Sequence, residues 1–300
     1  LKHRGIGHTY DSARAIRMFC SVLDISVPNK LVRLAPKVDD PPVAATTTIE
    51  PVRFGIGLIL LLALTLTALT LGRIPQRRDV FVSALRATVQ LSIVALALRG
   101  VFAAPFAAVA VVAMMFSVAT YTSTRRLAGM PGAGRAVLIG CGAGAGVAIG
   151  IVCGLPALDR NVRTLVAVCG IVFGGTMTAA TLTGRRLQDG LRSHRDEIEA
   201  WLSVGATARQ ACGDVARRAA AEALVPILDQ TRTVGLVTLP GAFVGALLGG
   251  ASATQAAEFQ IVVLVALLCA EAITAVAVSW LLGAPVALPV EFDESQRKRN

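Results

Sequence analysis

Residues 136–155 read AVLIGCGAGAGVAIGIVCGL, twenty consecutive positions without a charge. At 1.5 Å per residue such a helix is about 30 Å long, the thickness of a bilayer's hydrocarbon core. Inside that core every backbone N–H and C=O must be satisfied by the chain itself, which leaves α-helices and closed β-barrels. Six more stretches are nearly as apolar, at approximately 52–71, 80–98, 103–121, 162–183, 233–250 and 260–282. None alternates apolar with polar as barrel strands do. The chain is 54% hydrophobic and 16% charged, where a soluble domain would carry about 25% charge. The expected fold class is an all-α integral membrane protein, a bundle of about seven transmembrane helices with a cytoplasmic coupling-helix segment.

The net charge of +10 would suit a nucleic-acid binder. Its distribution argues for a membrane protein and no nucleic acid. Seventeen basic residues fall in 72–79, 122–135, 184–232 and the tail, all on one side if every apolar stretch crosses. The other side holds Arg99, Arg160 and Arg163. The positive-inside rule then places 184–232 and the C-terminus in the cytoplasm. The expected domains are a poorly ordered N-terminal extension over 1–50, a transmembrane domain over 51–284 with the cytoplasmic segment 184–232, and a cytoplasmic tail over 285–300. A short helix is expected near Ile16–Val27. The extension carries seven basic residues on what would be the outer side, so Val43 is the expected true start. The six cysteines form no Cys-x-x-Cys pair, and they read as small apolar residues in packed helices.

Gly142, Gly146 and Gly150 recur every four residues, as do Gly241 and Gly245. Small residues at that spacing let helices approach closely in lipid, so both sets are expected packing faces. Polar residues within the apolar stretches are few and mark a candidate translocation path. Arg86 and Gln90 lie four apart on one face; Arg86 either snorkels to the headgroups or faces a cavity. Glu271 sits mid-span and is either a path residue or a structural hydrogen-bonding group, with Arg86 as a possible partner. Thr176 and Met177 follow a Gly pair. Thr238 and Pro240 interrupt the stretch 233–250, where a proline frees a carbonyl for a cation or simply kinks the helix. Soft donors such as Met114, Met177 and Cys169 would suit a soft metal, but are more ordinarily packing residues.

EIEAWLSVGATARQA, residues 197–211, is charged at its start and helical in pattern. Glu199 and Ala200 precede Gly205 by six and five residues, with Ala206 next. The pattern predicts a short helix, a Gly turn and a second helix from about Thr207. Such an elbow can present its surface to a soluble protein, or lie on the membrane as an amphipathic helix. RATVQLSIV (86–94), GGTMTAATLTGRRL (174–187), EIEAWLSVGATARQA and GLVTLPGAFVGALLGGASATQAAEFQI (235–261) together resemble the FetB-type ABC permease family. That family includes bacterial iron-export permeases and plant aluminium-tolerance permeases. The resemblance covers residues 52–283 and leaves 1–42 outside it. Thr238-Leu239-Pro240-Gly241 stands where the family has Ser-Leu-Pro-Gly, and Thr176 stands where it has Asn.

The resemblance implies an ABC transporter permease subunit in a bacterial plasma (inner) membrane, C-terminus cytoplasmic. It implies a homodimer of permeases paired with a separate ABC ATPase subunit. Glu199, Ala200, Gly205 and Ala206 would contact that ATPase, and the cargo would be a metal ion such as iron. From the residues alone, no G-x-x-x-x-G-K-[ST] occurs, so no P-loop ATPase site is present. No His-Glu-x-x-His occurs and no cofactor is expected. Two rivals stay open: an ion-coupled secondary carrier using Glu271, and a membrane scaffold without transport.

Overall fold

The computed structural model describes residues 51–101, 105–154 and 161–284. The expectations for residues 1–50, including the helix near Ile16–Val27, and for the tail 285–300 lie outside the described residues. Ten helices are described: α1 Pro51–Leu71, α2 Arg77–Val101, α3 Pro105–Arg126, α4 Ala133–Gly154, α5 Val162–Ser193, α6 Arg195–Ser203, α7 Ala208–Ala211, α8 Gly213–Thr233, α9 Gly241–Leu248 and α10 Ala253–Leu282. No strand occurs among the described residues; Val234 and Thr238 form an isolated bridge.

Among the described residues four helices are long and apolar enough to cross a membrane: α4, α5, α10 and the Ala107–Arg126 part of α3. Gly55–Leu71 is apolar but shorter. Helices α3, α4, α5, α8 and α10 pack as the core of the bundle, with α10 against α4, α5 and α8. The pair α1–α2 attaches at the edge through α3. Its apolar side chains, Leu60, Leu61 and Leu64 among them, face outward, as lipid-facing residues would.

The expected crossing at 233–250 is not a single helix. Helix α8 ends at Thr233, residues 234–240 form a turn, and α9 has eight residues, about 12 Å. Gly235 is left-handed at φ 82°. The Thr233 carbonyl collects the N–H groups of Leu236, Val237 and Thr238, which closes the turn on itself. Pro240 then caps α9. The break follows from the sequence: glycine permits the reversal, and proline supplies no N–H to continue the ladder.

All but the last residue of α8 falls in 184–232, yet the helix packs along α5 and α10. Two contacts set its register. A Cβ built on Gly190 of α5 would meet Val215 Cγ1 at 2.6 Å, and one on Gly283, just after α10, would meet Ala216 Cβ at 2.9 Å. Counting 1.5 Å per residue from there, the end of α8 lies about 25 Å along α10, near Ala266. Ile227 accordingly shares a buried cluster with Val172, Val263 and Leu267. Helix α9 also packs on α10. From 213 to 248 the chain is thus a broken helix running beside α10.

Hydroxyl groups tie the helices together. Ser123 of α3 donates to the Met177 carbonyl at 2.9 Å and lies 3.0 Å from Thr181 Oγ1. Thr274 of α10 donates to the Gly140 carbonyl at 3.1 Å, and the Cys141 thiol reaches the Thr176 carbonyl at 3.5 Å. With lipid as solvent, such bonds and close packing replace hydrophobic association between helices.

Candidate functional site

The elbow is built as its sequence requires. Asp196 and Glu197 occupy the first turn of α6, where the helix dipole favours carboxylates. Glu199 pairs with Arg195 at 2.7 Å, one turn back. At the far end Gly205 is left-handed, φ 89°. The Ala206 N–H donates to the Trp201 carbonyl at 3.0 Å and the Gly205 N–H to Leu202 at 3.1 Å. These two bonds are a Schellman termination. Thr207 starts α7 with a capping box: its hydroxyl caps the Gln210 N–H, and the Gln210 side chain returns to the Thr207 N–H.

One face of the elbow is anchored and the other is free. Ile198, Ala211 and Cys212 are buried in the same cluster as Leu187, Leu191, Val278 and Leu282 of α5 and α10. Burial pushes the Cys212 thiol above its usual range, because a thiolate there would lose its hydration. Glu199, Ala200, Gly205, Trp201 and Val204 are exposed and Ala206 is half-buried. Between α6 and the start of α8 lies a cleft of about 540 Å³, walled by Trp201, Glu197, His194 and Asp214 with Arg217 and Arg218. The elbow therefore joins an exposed surface to the buried ends of α5 and α10. Trp201 is not among the elbow residues that the sequence pattern singles out. Its tryptophan in a charged helix is the signal that could have marked it.

The candidate path residues do not converge on one point. Arg86 and Gln90 are exposed on α2. No ion pair joins Arg86 to Glu271 among the described residues, and α2 packs on α1 and α3 at the far edge of the bundle. Glu271 is buried in α10 and turns toward α5: a Cβ on Gly175 would stand 2.7 Å from its Oε1 and 2.5 Å from Leu267 Cδ2. The missing side chain at Gly175 makes the room for this carboxyl group. Thr176 is fully buried and donates back to the Phe173 carbonyl at 3.1 Å. Met177 is half-buried, and its carbonyl is taken by Ser123 and Thr181. Thr238 and Pro240 lie in the turn before α9, Thr238 exposed. Two further buried polar atoms, Thr183 Oγ1 and Gln260 Oε1, have no hydrogen-bond partner. Gln260 falls within the stretch 235–261 but is not singled out there as a site residue. Among the described residues no three of His, Cys, Asp and Glu gather closely enough to hold a metal ion.

Within the single chain the expected packing stripes make no close contact. A Cβ on Gly146, Gly150, Gly241 or Gly245 meets nothing within 4 Å, and one on Gly142 meets Phe116 at an ordinary 3.7 Å. The close approach of α4 to α10 runs instead through Gly140 and Gly144. A Cβ on Gly140 would meet Val278 Cγ2 at 2.8 Å, and one on Gly144 would collide with the Ala270 carbonyl and Thr274 Oγ1. Both sets repeat every four residues, and the neighbours choose between them.

The comparisons agree with the membrane architecture. A family model described as an uncharacterised protein family, UPF0014, matches residues 52–285. The chain is 33% identical over 198 residues to "UPF0014 membrane protein STAR2" of Oryza sativa subsp. japonica, covering 65% of this chain and 70% of that protein. It is 30% identical over 205 residues to "Protein ALUMINUM SENSITIVE 3" of Arabidopsis thaliana, covering 68% and 75%. It is 27% identical over 230 residues to "Probable iron export permease protein FetB" of Escherichia coli, covering 75% and 89%. No solved structure matches the chain. A matched region that begins in α1 and ends just after α10 includes the elbow, the broken helix and the four helices long and apolar enough to cross a membrane, and the chain belongs to the UPF0014 family of membrane proteins.

Proposed function

We propose that the chain is the permease subunit of an ABC transporter, working as a homodimer and driven by a separate ATPase that docks on the elbow. The observation that carries this reading is the two-faced elbow. Its outer face offers Glu199, Trp201, Val204 and the α6–α8 cleft to a soluble partner, while Ile198 and Cys212 bury its inner face against α5 and α10. Closure of the ATPase dimer would push on a rigid lever whose other end is the helix core. The elbow is then the differential contact that links nucleotide state to membrane conformation. Family kinship with a protein named as an iron export permease supports export of a metal ion, iron first, from a bacterial plasma membrane.

In this reading seven crossings remain, and the sixth is the broken helix α8–α9. The elbow and the C-terminus share the cytoplasmic side, as the arginine distribution favours. The path takes in Glu271 beside Gly175, with Thr238, Pro240 and Gln260 nearer the break. Discontinuous helices recur at transport sites because their interrupted backbone offers free polar groups at membrane depth. A transported ion would meet one carboxylate and neutral oxygens, a set suited to passage rather than retention.

The test is co-purification of residues 43–300 with the ATPase encoded beside it, followed by substrate-stimulated ATP hydrolysis. Wild type is expected to retain the ATPase. Glu199→Arg and Gly205→Val are expected to lose most of it while staying folded. Retention unchanged in both variants, or no partner for wild type, would sink the coupling role.

A second reading is favoured by the burial of Glu271 without an ion-pair partner among the described residues. An ion-coupled carrier would use this carboxyl group as its proton site. Uptake in vesicles driven by a pH gradient without ATP, lost in Glu271→Gln and kept in Gly205→Val, would select it over the ABC reading.

A further inference from the structure

A second groove, of about 370 Å³, opens where α7 and the first half of α8 meet the end of α10. Its floor is apolar: Ala216 and Ala220 of α8 and Val276 of α10. It is cut close because Gly283 has no side chain; a Cβ there would stand 2.9 Å from Ala216 Cβ and 2.5 Å from the Ser279 carbonyl. Arg209 and Arg217 stand at its mouth, beside Trp280.

Arg209 is held in place but not neutralised. Its guanidinium carbon lies 4.2 Å above the centre of the Trp280 ring, and Nη1 donates to the Trp280 carbonyl at 3.3 Å. No carboxylate pairs with it among the described residues. A guanidinium has five N–H donors, so the stacked group keeps most of them for a ligand. Arg217 is paired with Asp214, three residues back, which leaves that pair neutral and Arg209 as the net charge of the mouth. Trp280 is 61% exposed and stands two residues before the end of α10. Indoles at the end of a membrane helix sit at headgroup level.

A cation fixed over an indole at the membrane boundary, above an apolar groove, matches a phospholipid with a net negative headgroup. We infer that this groove binds one anionic phospholipid, its phosphodiester on Arg209 and an acyl chain over Ala216, Ala220 and Val276. A small hydrated anion would gain nothing from the apolar floor. A second copy of the chain would bring its own basic surface to a basic mouth. Because Arg209 follows Thr207 by two residues, the bound lipid would fasten the elbow to the bilayer. The inference takes from the proposed function only the topology that puts this groove in the cytoplasmic leaflet; binding itself is independent of it.

The experiment is lipid retention by the full chain in detergent, read by native mass spectrometry. The probes are phosphatidylglycerol and phosphatidylcholine with matched acyl chains, and inorganic phosphate in excess as competitor. Wild type is expected to retain phosphatidylglycerol about fivefold over phosphatidylcholine, whose choline cation cancels the phosphate charge; that is about what one basic residue contributes toward a net negative headgroup. Arg209→Ala is expected to lose that preference, and Val276→Trp, which fills the groove and leaves the charges, to lose retention of both lipids. Arg185→Ala, on an exposed site of α5, is expected to change nothing. The proposal falls if Arg185→Ala weakens retention as much as Arg209→Ala, if phosphate displaces the lipid fully, or if Val276→Trp retains lipid normally. Thermal unfolding of each variant checks its fold; should Arg209→Ala unfold, Arg209→Gln replaces it, with the same loss expected and unchanged retention counting against the site.

Discussion

Single glycines decide much of this molecule, and each does so for a local reason. Gly144 lets the backbone of α4 meet the Ala270 carbonyl; a methyl group there has nowhere to go but into backbone. Gly144→Ala is expected to lower stability by about 1–3 kcal/mol, or to prevent folding, as overpacked cores do. Gly146→Ala and Gly150→Ala, which meet open space, should leave the monomer's thermal unfolding in detergent unchanged. Equal losses in all three would contradict the packing described for α4. The two stripes could not be told apart from GCGAGAG alone, because each presents glycine every four residues. Glu271 was legible as a polar intruder in an apolar span. Its setting against Gly175 was not, since that depends on how α5 and α10 are rotated. The suggested Arg86 partner failed for a similar reason: nothing local in either helix records that α2 stands at the far edge.

At the scale of the element, the elbow was the most legible part. A left-handed residue after a short helix selects glycine, and Thr207 with Gln210 forms a capping box from sequence-local atoms. Removing the box by Thr207→Ala is expected to cost about 1 kcal/mol of local stability. Hydrogen exchange at α7 should report this as faster opening, with α5 and α10 unaffected. The buried thiol of Cys212 gives a second readout. Burial raises its pKa, so its thiolate fraction at neutral pH falls below that of a free cysteine. Labelling by a maleimide is therefore expected to be slow at neutral pH and to quicken as pH rises. If the elbow moves when an ATPase closes beneath it, added ATP should quicken labelling at constant pH.

For the whole molecule, the main revision concerns the apolar stretch 233–250, which is not one helix. Under the expected span at 233–250, position 236 would lie near the cytoplasmic face. In the proposed topology, with α8–α9 as one broken crossing beside α10, position 236 would lie toward the opposite face. A single-cysteine Leu236→Cys variant in a cysteine-free background should be labelled from outside intact cells by a membrane-impermeant reagent. Val204→Cys on the elbow should be labelled only after lysis. Labelling of position 236 only after lysis would restore the original span.

The sequence by itself determined that this chain is helical and membrane-embedded, because unbroken apolar runs of helix-spanning length have no other stable solution in water or lipid. It also determined the elbow, whose signals lie within a few residues of one another. The tertiary structure alone decided which glycine stripe makes contact, where Glu271 is buried, and that the amphipathic segment 213–233 joins the bundle. Helix α8 buries Ala216, Ala219, Ala220, Ala223 and Ile227 on one face and exposes Arg218, Glu222 and Asp229 on the other. Its sequence therefore reads as surface until α5 and α10 supply the neighbours that take up the buried face.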